Sequence, residues 1–139
     1  YFVRLVLKRK NGSLLSENMY WLSSVKKSDF SALAKLKPVA LELSACTEDK
    51  GKEFHFTVKL VNHTGNLSFF NRLVITKGEN GGEVLPTFWD SNFLTLFPGE
   101  EKTVSAIITK EDLQGATPYI SIDGSNEVQP VCIQELCTN

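Results

Sequence analysis

Between residues 38 and 134, short runs of alternating apolar and polar side chains are broken by turn-forming residues about every 8 to 12 positions. Successive side chains of a strand point to opposite faces, so this period of two marks ribbons with one face covered and one face wet. Phe54, Phe56, Val58 and Leu60 fall on one face, and Glu53, His55, Thr57 and Lys59 on the other. Val104, Ala106 and Ile108 oppose Thr103, Ser105 and Thr109 in the same way. Strands are therefore expected at 39–47, 53–62, 69–77, 83–85, 93–97, 102–109, 118–123 and 128–134. No helix of three turns is required, the glycine-rich segment 78–82 reads as a flexible loop, and 110–113 makes at most one helical turn. The fold class is all-β: an immunoglobulin-like antiparallel β-sandwich, a fold whose usual size is about 100 residues.

The first 25 residues are surplus to that sandwich. Tyr1, Val3, Leu5 and Leu7 alternate with Phe2, Arg4, Val6 and Lys8, and Asn11-Gly12 supplies the positive backbone angles of a tight hairpin turn. A returning strand over 14–22 carries Leu14, Tyr20 and Leu22 on one face and Leu15, Met19 and Trp21 on the other. A hairpin that is apolar on both faces is built to be covered, and alone in water it is marginal. The run begins at Tyr1 itself, so a chain excised from a longer protein is expected. In 26–37, Ser28-Asp29 caps a short helical stretch bearing Phe30, Leu33 and Leu36, and Pro38 stops it. The expected division is 1–25, a hairpin left over from a preceding domain; 26–37, a linker; and 38–139, the sandwich.

Composition removes several classes of function. The 139 residues are 42% hydrophobic and 22% charged, the makeup of an ordinary globular domain. A formal net charge of -1 gives no basis for binding nucleic acid, which needs Lys and Arg to neutralise phosphates. No apolar run reaches the roughly 18 residues of a spanning helix, so no membrane partner is expected. Cys46, Cys132 and Cys137 are an odd count without zinc-type spacing; a Cys46–Cys132 bridge is one of several admissible pairings. No metal or cofactor is expected, His55 and His63 read as solvated, and no Gly-x-Ser-x-Gly elbow occurs. Asn11-Gly12-Ser13, Asn62-His63-Thr64 and Asn66-Leu67-Ser68 match the N-glycosylation sequon.

Two segments carry rare residues at fixed spacing. One is Glu17-Asn18-Met19-Tyr20-Trp21-Leu22; the other is Leu85-Pro86-x-x-Trp89-Asp90-x-Asn92-Phe93 followed by Leu96-Phe97-Pro98-Gly99-Glu100. Together they resemble the C-terminal immunoglobulin-like region of glycoside hydrolase family 2, in the branch of β-mannosidases and exo-β-D-glucosaminidases. The resemblance implies a parent with a catalytic β/α barrel followed by two immunoglobulin-like domains, the hairpin being the last two strands of the fourth domain and the sandwich the fifth. It also implies a secreted or periplasmic parent. Retaining glycosidases need two carboxyl groups about 5 to 5.5 Å apart, and in this family both sit on the barrel. Asn126-Glu127 spells the family's acid/base dipeptide, but it falls between the last two strands, so no catalytic residue is assigned.

What the resemblance implies is a non-catalytic accessory domain that packs on the rest of a carbohydrate-degrading enzyme. The alternative is an autonomous carbohydrate-binding module. Its candidate contacts are Phe88, Trp89 and Phe93, whose faces suit the C–H groups of a pyranose, with Asp90 and Asn92 for hydroxyls. Two other roles for the tract stay open: Trp89 caps the core while Asp90 and Asn92 satisfy turn amides, or the loop faces the parent's barrel. Partners are thus the remaining domains, an oligosaccharide, or a second copy paired through the orphan hairpin.

Overall fold

The computed structural model describes residues 1–23, 28–128 and 134–136. The chain divides into two compact units, Tyr1–Lys35 and Leu36–Asn139.

In the first unit, β1 (Phe2–Lys8) and β2 (Leu14–Trp21) pair antiparallel, with Phe2 opposite Trp21 and Leu5 opposite Asn18. The terminal amine of Tyr1 donates to the Leu22 carbonyl at 2.7 Å and the Leu22 amide donates back to Tyr1 at 2.8 Å, closing the open end. The turn is longer than the tight one expected. The Arg9 amide donates to Ser13 and the Gly12 amide to Arg9, enclosing Lys10, Asn11 and Gly12, and of these only Gly12 takes a positive φ, 86°. Asn11 serves instead as an acceptor for the Ser13 amide at 3.1 Å and hydroxyl at 2.8 Å. A 3-10 helix follows at Ser31–Lys35. Asp29 Oδ1 starts it by accepting the Ser31 amide at 2.9 Å, and that bond holds the Asp29 carboxyl below its ordinary pKa. Leu5, Leu7, Leu14, Leu15, Tyr20 and Trp21 are all exposed, on both faces of the hairpin.

The second unit contains β3 (Glu42–Asp49), β4 (Glu53–Val61), β5 (Ser68–Lys77), β6 (Phe88–Trp89), β7 (Leu94–Leu96), β8 (Glu101–Thr109), β9 (Pro118–Asp123) and β10 (Gln134–Leu136). A one-turn helix, α1 (Lys110–Leu113), joins β8 to β9; the Thr109 hydroxyl caps it by accepting the Asp112 amide. One sheet runs β10-β3-β4-β8-β6 and the other β7-β5-β9. The long central pairing places Glu53 opposite Thr109 and Val61 opposite Glu101, so the alternation in the two strands is in phase. Leu43, Phe56, Val58, Leu60, Val104 and Ile108 of the first sheet form one buried cluster with Leu73, Ile75, Leu94, Leu96 and Ile120 of the second. That shared cluster is the sandwich core.

Four local expectations are corrected. The predicted strand at 83–85 reduces to a single bridge between Glu83 and Thr76, since Pro86, next along the tract, offers no amide to a ladder. The pairing strand of that tract is Phe88–Trp89, two residues too short to show a period. The sandwich is not wholly antiparallel: β10 runs parallel to β3, with Glu135 opposite Cys46, and Val39 bridges Glu127 in parallel. The segment 78–82, read as a flexible loop, is a bonded turn. Lys77 donates to Gly82 at 3.0 Å, Gly81 to Gly78 at 3.3 Å, and a Cβ on Gly81 would lie 1.8 Å from the Lys77 carbonyl oxygen. Cys46 is disulfide-bonded; Cys132 and Cys137, and with them most of the expected strand at 128–134, lie outside the described residues.

Candidate functional site

The aromatic tract is divided between the two sheets. Phe88 and Trp89 sit opposite Ile107 and Ala106 on the edge of the first. Phe88 is 63% exposed, whereas Trp89 is half-buried and packs on the core. Asp90 continues the pairing, its amide donating to the Ser105 carbonyl at 3.0 Å and its Oδ1 accepting the Ser105 amide at 2.9 Å. Asn92 reaches the second sheet: Oδ1 accepts the Leu73 amide at 2.7 Å and Nδ2 donates to the Leu73 carbonyl at 3.0 Å. The side-chain amide therefore pairs with β5 as a neighbouring strand would.

Phe93 turns away from this pairing with a φ of 55°. Its ring lies 4.9 Å from that of Phe70, tilted by 36°, and Phe69 follows at 5.6 Å. Phe70 has a φ of 58° and sits at a bulge where β5 gains one residue over β7 between Ser68 and Asn71. Bulky side chains in the left-handed region cost about 1–3 kcal/mol each, and both rings remain exposed, 49% and 38%. Of the five candidate residues, then, Phe93 joins a ring the sequence reading had passed over. Phe70 follows another phenylalanine, so the strand's alternation breaks there, and that break is the signal for it. Asp90 and Asn92 hold backbone, and the rings offer apolar faces.

Asn126 and Glu127, after β9, tie the start of β5 to the segment that leads into β3. Asn126 Oδ1 accepts the Phe69 amide at 2.9 Å, while Nδ2 donates to the carbonyls of Lys37 at 2.7 Å and Leu67 at 2.8 Å. Glu127 Oε1 accepts the Leu41 amide at 3.2 Å. Nearby, Gly124 leaves room for Asn71, since a Cβ there would lie 2.3 Å from Asn71 Oδ1. Glu127 also borders an open groove of about 530 Å³ walled by Tyr119, Ser121 and Asp123.

Several charged groups on the surface are paired locally. Arg72 Nη2 meets both oxygens of Glu83 at 2.7 and 2.6 Å. Lys110 lies 2.6 Å from both oxygens of Asp49 and 4.7 Å from the centre of the Phe54 ring. Its ammonium, with the Gly51 amide, holds the Asp49 carboxyl below its usual pKa. His55 and His63 each stand beside a carboxylate, Glu53 at 3.1 Å and Glu42 at 3.0 Å. Among the described residues there is no group of three or more His, Cys, Asp and Glu able to hold a metal ion, and no helix long and apolar enough to cross a membrane.

The family model described as the exo-β-D-glucosaminidase Ig-fold domain matches residues 18–127, from β2 to the Glu127 bridge. The chain belongs to this family. An exo-β-D-glucosaminidase of Arthroderma benhamiae is 30% identical over 116 residues, covering 71% of this chain and 13% of the relative. That of Streptomyces avermitilis is 28% identical over 151 aligned positions, covering 93% of this chain and 16% of the relative. Among solved structures, the exo-chitosanase CsxA of Amycolatopsis orientalis superposes with a TM-score of 0.82 at 28% identity, over 96% of this chain and 18% of that one. The Ig-fold assignment agrees with the two sheets and shared core described above. Of the two enzyme types the resemblance admitted, the matching family and the two curated relatives carry the glucosaminidase name. This Ig-fold chain thus spans about a sixth or less of the curated relatives' length.

Proposed function

We propose that the chain is a non-catalytic Ig-fold accessory module of a multidomain exo-β-D-glucosaminidase, and that it packs on and supports the remainder of that enzyme. The observation that carries this reading is the hairpin, whose leucines and aromatics are exposed on both faces. Such a ribbon withdraws its apolar surface from water only when another element covers it, and each Å² covered is worth about 25 cal/mol. On this reading 1–25 completes a preceding domain, 26–37 links, and 38–139 is the terminal sandwich. The names of the relatives supply the enzyme type. The Asn126-Glu127 side chains support a structural role, since both bind backbone groups of the sandwich itself. Incubated with an aryl β-D-glucosaminide, the isolated chain is expected to release no aryl alcohol; release at a rate above buffer overturns the reading.

The exposed Phe70–Phe93 pair favours a second reading, an oligosaccharide contact on the module's own surface. Under the accessory reading, titration with chito-oligosaccharides to millimolar concentration leaves the chemical shifts of these two phenylalanine rings unmoved. Saturable shifts confined to Phe70 and Phe93 would establish the binding module instead.

A further inference from the structure

Of the asparagines in the three glycosylation sequons, only Asn11 is exposed, and we infer that Asn11 accepts an N-linked oligosaccharide when the chain is made in a secretory compartment, whereas Asn62 is closed to it. Asn11 is exposed at the hairpin tip. Its Oδ1 is held by the Ser13 amide at 3.1 Å and by the Ser13 hydroxyl, the third residue of the motif, at 2.8 Å. Among the described residues its Nδ2 has no partner, and Gly12 beside it adds no side chain to crowd the approach.

Asn62 presents the opposite case. It is 0% exposed, and its Nδ2 lies 2.8, 3.1 and 3.3 Å from the carbonyl oxygens of Asn66, Leu96 and Phe97. A sugar on that nitrogen would have to occupy the space of those carbonyls, so a chain modified there cannot close this end of the sandwich. In the third motif the hydroxyl of Ser68 is buried and donates inward to Asn71 at 3.0 Å. Independently, the disulfide at Cys46 is a bond that persists in oxidising compartments, of which the secretory lumen is one.

The co-reactant is an oligosaccharide carried on a lipid pyrophosphate, delivered by the lumenal transferase. A bond forms between Asn11 Nδ2 and C1 of the first sugar. The bond from C1 to the pyrophosphate oxygen breaks, the lipid pyrophosphate leaves with the electron pair, and the amide gives up one proton.

Secretion of the chain from yeast, with Asn66→Gln as a background that removes the third motif, tests the inference. The folded product is expected to show one gel step removed by peptide N-glycosidase. That step is lost in Asn11→Gln and, independently, in Ser13→Ala, which leaves Asn11 itself in place. A product with no sensitive step, or a step that survives Asn11→Gln, overturns the assignment to Asn11. Peptide mass spectra showing sugar on Asn62 in folded material overturn the closure of that site.

Discussion

Replacement of Asn62 by alanine is expected to lower the stability of the Leu36–Asn139 unit by about 3 kcal/mol or more, read as a fall in the urea midpoint at unchanged slope. The side chain is fully buried and bonded through both its polar atoms. Nδ2 donates to the carbonyls of Asn66, Leu96 and Phe97, and Oδ1 accepts the Thr64 amide at 3.0 Å and hydroxyl at 2.7 Å. The Asn62 backbone is held as well, donating to Glu100 at 2.9 Å and accepting from Gly99 at 2.8 Å. Truncation leaves several polar groups without partners where water has poor access, and each such group costs about 1–3 kcal/mol. Asn62→Asp retains the acceptor but places a carboxylate against three carbonyl oxygens, so it is expected to be the worse of the two. A midpoint equal to wild type for either variant would show that Asn62 does not tie these turns.

Phe56→Ala is expected to cost a further class of stability, about 3–5 kcal/mol, through the cavity it leaves. Phe56 is 1% exposed and stands across β4 from Ala106 on one side and Thr47 on the other, small neighbours that leave space for its ring. Phe54 leans on it from 6.3 Å at 57°. The informative control is Phe88→Ala. That ring is 63% exposed on the two-residue strand β6, so its loss is expected to stay within about 0.5 kcal/mol. Equal costs for the two variants would mean that the boundary between core and surface is misplaced. Thermal and urea denaturation followed by circular dichroism gives both values.

The residues legible in sequence were those whose neighbours set a period. Phe54 to Leu60 and Val104 to Ile108 were placed on their true faces because nine-residue strands repeat the alternation often enough to declare it. Phe88–Trp89 has no repeat to show, and the bulge at Phe70 interrupts the one that β5 has. The asparagine clasps were beyond reach for another reason. Asn126 bonds residues 57, 59 and 89 positions away, and Asn62 bonds Leu96 across 34. No local pattern distinguishes such an asparagine from one in a solvated turn. For the aromatic tract, the residue types were informative and their grouping was not: Trp89 packs on the core while Phe93 lies on Phe70, a partner that only the folded bulge brings near.

The shortness of β6 has a bearing on how these molecules behave when crowded. Along the outer side of β8, Phe88 and Trp89 occupy Ile107 and Ala106, and then the carboxylate of Asp90 occupies Ser105. An extended peptide from another molecule arriving at that border meets a stepped rim with few consecutive open amides. Stacking of sandwich upon sandwich into a continuous fibril ribbon is thereby starved of its template on this flank.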